Sequence, residues 1–207
     1  MLDEPVAYLD NACVTLKPQS VIDSIQDYYI NTPGCGGRSV HRYGTHVSKI
    51  ISQSRKKLSD FFSSPSVKEM VFTRNATHSL NQIAKGLEWN KGDVVLTTDR
   101  EHNSNLVPWL QLEQEQGIDH RIVRSNQDNT FSLESFEKAC ADAGSKLKMV
   151  SMSHVGNLDG VEIPVKEITR IAKDYDALVS IDGAQSAPHM NVNVQDLGID
   201  FYSFSIH

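Results

Sequence analysis

Two hydrophobic periods alternate along this chain, and that alternation constrains its fold more than any other feature. Residues 18–30 carry Val21, Ile22, Ile25, Tyr28 and Tyr29 at helical spacing, with Pro18 at a tolerated first-turn position. Residues 46–62 repeat the stripe with Val47, Ile50, Ile51, Leu58 and Phe61. Shorter helices are expected over 77–86, over 103–116 with Pro108 in the early turns and Gly117 as a stop, over 132–143 before Gly144, and over 164–175. Between them lie short apolar, β-branched runs: Met70-Val71-Phe72, then residues 94–97, 121–123, 149–152, 178–181 and 201–204. Most lack a polar alternation, as expected of strands covered on both faces. Strand and helix in turn predict an α/β fold, a three-layer α/β/α sandwich on a mostly parallel sheet with right-handed crossovers.

Composition removes several classes of function. The chain has 207 residues and is 39% hydrophobic, enough for a core that needs no disulfide or metal staple. Its 20 Lys and Arg against 26 Asp and Glu give a net charge of −6. No basic block is present, which argues against nucleic acid or an anionic membrane as partner. No apolar run approaches the ~18 residues of a membrane span, and the acidic start Met1-Leu2-Asp3-Glu4-Pro5 does not read as a signal peptide. Cys13, Cys35 and Cys140 are odd in number and form no Cys-x-x-Cys pair, so they read as small apolar fillers in a reducing, cytoplasmic setting. Without a secretory signal, Asn75-Ala76-Thr77 is set aside as a glycosylation site.

In open α/β sheets, ligands bind beyond the carboxyl ends of the strands. Polar residues gather at those ends here: 73–78, Asp99 to Asn103, Ser153 to Asn157, Asp182 to Gln185, and Ser205 to His207. A dinucleotide would need Gly-x-Gly-x-x-Gly after a strand, but Gly34-Cys35-Gly36-Gly37 follows a helix. No Walker loop is present. His41 and His46 flank Gly44 and make a poor metal pair, so no metal is expected.

The residues suit a phosphorylated aromatic cofactor instead. A helix starting at Ala76-Thr77-His78 offers N–H groups and a hydroxyl to a phosphate. His102 offers a flat ring for stacking. Asp182 offers a carboxylate that would keep a ring nitrogen protonated, the electronic requirement of pyridoxal phosphate. Gln185 and Asn157 can reach the ring's phenolic oxygen, and Ser205 and His207 can add phosphate contacts. Plainer readings stand beside these: Asp182 as a turn former before Gly183, His102 as a helix cap, Thr77 as an N-cap or first-turn hydroxyl.

Seven segments together carry a family resemblance. They are Tyr8 to Ala12, His41-Arg42, Arg74-Asn75-Ala76-Thr77, Glu101 to Trp109, Ser153-His154-Val155-Gly156-Asn157, Asp182-Gly183-Ala184-Gln185, and Asp200 to His207. In order and spacing the chain resembles the class V aminotransferase-like group of fold type I pyridoxal-phosphate enzymes, nearest to the cysteine desulfurase and selenocysteine lyase branch. The resemblance runs the whole length. It implies that residues 1–207 form the large cofactor-binding domain of that fold, with residues 1–30 associating with a smaller C-terminal domain.

The resemblance also implies roles. Asn75, Ala76 and Thr77, with Ser205 and His207, would bind the phosphate. His102 would stack on the ring and help move protons. Asp182 would pair with the ring nitrogen, Gln185 with the phenolic oxygen, and Asn157 with that oxygen or the substrate carboxylate. His41 and Arg42 would lie near a homodimer interface, or else form a solvated loop. The implied activity is sulfur removal from L-cysteine, giving alanine and an enzyme persulfide, with a sulfur-acceptor protein as partner. The alternatives are a class V aminotransferase or β-lyase acting on another amino acid, and a non-catalytic relative. In the family a lysine that anchors the cofactor follows the Ser-x-His motif. It would be residue 208, so the chain reads as a fragment that does not turn over by itself. The chain departs from the desulfurase pattern in carrying His102-Asn103 for two histidines, Asn75-Ala76 for Gly-Thr, and Cys13 for a small residue.

Overall fold

The apolar runs of the second half form a five-stranded parallel sheet in the order β2-β1-β3-β4-β5. The strands are β1 (Val94–Thr98), β2 (Asp119–Val123), β3 (Leu147–Ser153), β4 (Leu178–Asp182) and β5 (Phe201–Ser203). The computed structural model describes residues 6–206. They fall into two units: one holds the described residues up to Phe61 with Ser66–Met70, the other Phe62–Pro65 and Val71–Ile206. The whole sheet lies in the second.

Both faces of this sheet are covered, which is why its strands read as continuous apolar runs. Val94 and Leu96 point to one face, packing with Phe136 and Cys140 of α5 (Leu133–Ala143) and Ile168, Ile171 and Ala172 of α6 (Val165–Lys173). Val95, one residue out of phase, points to the other face. There it meets Ala84 of α3 (Ala76–Gly86) and Trp109 and Leu112 of α4 (Asn103–Gln116). Each fully buried Leu, Ile or Phe contributes about 1.5–3 kcal/mol, so these two layers hold the sheet. This is the three-layer sandwich that the alternating periods predict.

The first unit carries α1 (Gln19–Asn31) and α2 (Arg42–Phe61). The stripe of α1 is present but open to solvent, with Val21, Ile22 and Ile25 exposed. Helix α2 begins four residues before the predicted start. Gly44, which the sequence places between His41 and His46, lies inside it; a Cβ there would sit 2.6 Å from the Cβ of Ser39. The His41 Nδ1 accepts the Gly44 N–H at 3.3 Å and helps to start the helix.

One expected strand does not form. Met70-Val71-Phe72 follows a short 3-10 turn, Val67–Glu69, and belongs to no ladder. A strand exists only where a neighbour pairs its backbone, and these three residues enter no described sheet ladder. Val71 is 71% exposed, so its apolar character does not mark a core position. The last run also ends at Ser203, one residue short of the expected Phe204.

Helix α3 is started by Asn75, whose Oδ1 accepts the His78 N–H at 2.8 Å. The glycosylation-like triplet is thus a capping signal. Asn75→Ala should cost about 1 kcal/mol, a fall in Tm of about 2–4 °C for a domain of this size. Calorimetry checks this, and an unchanged Tm would show that the cap contributes nothing. Among the described residues no helix is long and apolar enough to cross a membrane.

Candidate functional site

The strand order places a topological switch between β1 and β3. From β1 the chain runs through α4 to β2 on one side, then through α5 to β3 on the other. Ligand crevices in open sheets form at such a point, beyond the carboxyl ends. His102 follows β1, and Asn157 follows β3.

His102 is the N-cap of α4. Its Nδ1 accepts the Ser104 N–H at 3.1 Å and lies 2.7 Å from the Ser104 Oγ. A ring that accepts through Nδ1 carries its proton on Nε2 when neutral. The residue is exposed, so the capping reading holds and still leaves a ring face open.

Asp182 ends β4 and is 4% exposed. Its Oδ1 accepts the Ala184 N–H at 3.0 Å, so it also forms the turn expected of an Asp before Gly. Burial raises its carboxyl pKa, while the Ala184 N–H and the nearby His102 pull the other way. Among the described residues no Lys, Arg or His forms an ion pair with it. In register it sits between Ser153 of β3 and Ser203 of β5, and side chains of such partners share a sheet face. Both hydroxyls are engaged elsewhere. Ser153 Oγ donates to Glu101 at 2.7 Å, and Ser203 Oγ pairs with Ser79 Oγ at 2.8 Å. A nearly enclosed carboxylate thus stands in a polar row whose flanking donors are turned away from it.

The glycine after Asp182 is required by close packing. A Cβ at Gly183 would lie 2.2 Å from Tyr202 Cζ. The Tyr202 hydroxyl is 2.6 Å from Ser186 Oγ. Burial pushes this phenol up to about 12, with the charge of Asp182 adding to the effect.

The start of α3 meets the segment after β5. The Ala76 N–H donates to Ser205 Oγ at 3.0 Å, across most of the unit's sequence. Thr77, exposed in the first turn, is not the cap; Asn75 is. Asn157 sits on a stiffened loop, where Gly156 N–H donates to Val161 C=O at 2.9 Å and Val155 bridges Glu162. Asp159 on that loop is ion-paired with Arg100. Gln185 is half-buried in the turn after Asp182.

The second unit therefore carries Asn75, Ala76, Thr77, His102, Asn157, Asp182, Gln185 and Ser205 on loops and turns that follow its strands or open its helices. His41 and Arg42 belong to the first unit, at the start of α2. His207 lies outside the described residues. Among those described, no group of three or more His, Cys, Asp or Glu is placed to hold a metal ion.

Several site-edge residues have no counterpart among the sequence candidates. Glu101 accepts five hydrogen bonds, described below. His154 is 5% exposed, its Nδ1 lacks a partner, and burial lowers its pKa. The available signal was Ser151 and Ser153, two hydroxyls that share one face of β3 with Leu147 and Met149. Such a pair asks for a polar partner across the layer.

The comparisons with known proteins agree with this fold. The family model for aminotransferase class-V matches residues 7–207. A probable cysteine desulfurase of Halalkalibacterium halodurans is 37% identical over 98% of this chain and 50% of its own length. The apo structure of a cysteine desulfurase from Thermococcus onnurineus NA1 superposes with a TM-score of 0.88 at 35% identity, over 95% of this chain and 48% of that one. A structure described as SspA in complex with cysteine gives a TM-score of 0.89 at 26% identity, over 98% and 57%. The chain spans about half the length of the curated relatives it matches. A family model that covers nearly the whole chain, on a sheet with this switch point, shows that the chain belongs to the aminotransferase class-V family.

Proposed function

We propose that this chain is the pyridoxal-phosphate-binding part of a cysteine desulfurase. The observation that carries the reading is Asp182, a nearly enclosed carboxylate in no salt bridge among the described residues, with the His102 ring as the nearby group that favours its charge. An ionised buried acid is costly unless paired, and a pyridinium N–H supplies the missing cation. The other residues fit the same group. The first turn of α3 and Ser205 would hold the phosphate, with His207 as a further contact. His102 would stack on the ring. Gln185 and Asn157 would approach the phenolic oxygen. Bound there, the cofactor would supply an electron sink for bonds broken at the α-carbon of an amino acid. The chain's own residues orient that ring and hold its nitrogen protonated.

L-cysteine is the proposed substrate, because the relatives named above are desulfurases or hold cysteine. Its sulfur would pass to a cysteine thiol of the complete protein, leaving alanine, and then to an acceptor protein. Cys140 does not suit that step, since burial pushes its thiol up to about 12 and keeps it protonated. The protein would work as a homodimer, with His41 and Arg42 near the interface. The free thiols of Cys13, Cys35 and Cys140 support a reducing, cytoplasmic setting.

The test is to give the complete protein pyridoxal phosphate, L-cysteine and dithiothreitol. Alanine and sulfide should appear in a 1:1 ratio. Transfer of the amino group to a 2-oxo acid, without sulfide, would favour an aminotransferase instead.

A further inference from the structure

Glu101 stands directly before His102, at the crevice between β1 and β3. Its carboxylate accepts from three elements. From β1 come the Thr98 N–H at 3.3 Å and the Thr98 hydroxyl at 2.5 Å. From α4 comes Asn105 Nδ2 at 2.7 Å. From β3 come the Ser153 N–H at 2.9 Å and the Ser153 hydroxyl at 2.7 Å. Asn105 is fully buried, accepts the Ser151 hydroxyl through Oδ1 at 2.6 Å, and donates its N–H to the His102 carbonyl at 2.8 Å.

This pattern is not a helix cap. Glu101 precedes the N-cap residue, and of its five hydrogen bonds only one comes from α4, through a side chain. The other four come from the two strands that line the crevice. Its turn is closed further by the Arg100 N–H, which donates to Thr98 Oγ1 at 3.2 Å. Three of the five donors are N–H groups that can only donate, so the position demands an acceptor. A carboxylate satisfied in this way rigidifies the elements it joins.

We infer that Glu101 is a positioning residue, which locks the turn presenting His102 onto the end of β3 so that the imidazole meets the cofactor ring in one orientation. This deepens, and rests on, the cofactor reading above. Glutamine can keep an oxygen toward Asn105 and Ser153 and turn its amide toward the Thr98 hydroxyl, giving up the long bond from the Thr98 N–H. Alanine loses all five bonds. The two substitutions therefore separate geometry from charge.

The experiment reads the His102 ring by ¹H–¹⁵N NMR in the cofactor-free complete protein, with its signals identified by their loss in His102→Gln. The same proteins are then titrated with pyridoxal phosphate. The wild type should show one Nε2–H tautomer. Glu101→Gln should keep it, with affinity within about threefold. Glu101→Ala should mix the tautomers and weaken binding about tenfold, the equivalent of 1.4 kcal/mol. Thr98→Val keeps the shape while removing one donor, and should shift the ring signals in the same direction with a smaller loss. It decides the question if Glu101→Ala does not fold. Ring signals unchanged in both Glu101→Ala and Thr98→Val would overturn the inference. So would a Glu101→Gln protein as impaired as the alanine one, because charge rather than position would then matter. If the wild type binds no pyridoxal phosphate, the cofactor reading fails, while the ring signals still decide whether Glu101 fixes His102.

Discussion

Replacing Asp182 with asparagine should stabilise the cofactor-free protein at neutral pH and weaken its hold on pyridoxal phosphate. The two effects share one cause. Burial raises the carboxyl pKa of the folded state above the ordinary value of 3.8. Between those values the folded protein keeps a proton that the unfolded chain has released. Stability is therefore greatest below the ordinary value and falls as pH rises through the raised one. Asparagine keeps an oxygen for the Ala184 N–H and removes the charge. At pH 7 the variant should melt about 2–4 °C higher, the shift that ~1 kcal/mol produces in a domain of this size. The difference should vanish below the ordinary value of 3.8. Cofactor affinity should fall about 10- to 100-fold, since a hydrogen bond to a charged group contributes ~1.5–3 kcal/mol. Calorimetry across pH and a binding titration check both. A lower Tm with unchanged affinity would contradict the role given to Asp182.

Gly183→Ala should cause a large loss of stability. The added Cβ would lie within 2.2–2.6 Å of the Tyr202 ring atoms Cζ, Oη and Cε1. That ring cannot easily withdraw. It packs near Phe62, Phe204 and His154, and its hydroxyl is tied to Ser186. Overpacking of this kind costs about 1–3 kcal/mol. The expected result is a Tm lower by about 2–12 °C, at the few degrees per kcal/mol of a domain of this size. Because the shifted turn carries Asp182 and Gln185, cofactor affinity should drop as well. Tyr202→Ala in the Gly183→Ala background should recover part of the affinity. A Gly183→Ala protein with unchanged Tm would mean that the Tyr202 ring is not the constraint.

The sequence made the layers legible because their cause is local. Val94 to Leu96 are apolar on both faces, and only a sheet covered twice needs that. Helix α4 could be bounded closely because Gly117 takes a left-handed backbone and stops it. Met70 to Phe72 misled for the opposite reason. Strand formation depends on a neighbour that no local pattern reveals. The start of α2 was hidden by Gly44, a poor helix former that is fitted there because a side chain would run into Ser39.

For the site, His102 and Asp182 stood out because a polar group ending an apolar strand is conspicuous. Glu101 did not, although it stands beside His102. Its partners Thr98 and Asn105 are close in sequence, but Ser153 is 52 residues away, and only the switch between β1 and β3 brings it to them. Thr77 stands in the first turn of α3, as the first-turn reading has it, and Asn75 is the cap. Long-range satisfaction of a buried acceptor is written in the topology and not in any short window.

The central claim is that Asp182 holds the cofactor's ring nitrogen protonated. The most direct measurement is the ¹⁵N chemical shift of pyridine-¹⁵N pyridoxal phosphate bound to the complete protein. A pyridinium shift in the wild type, moving to a neutral pyridine shift in Asp182→Asn, is the predicted result. A neutral pyridine shift in the wild type would contradict it.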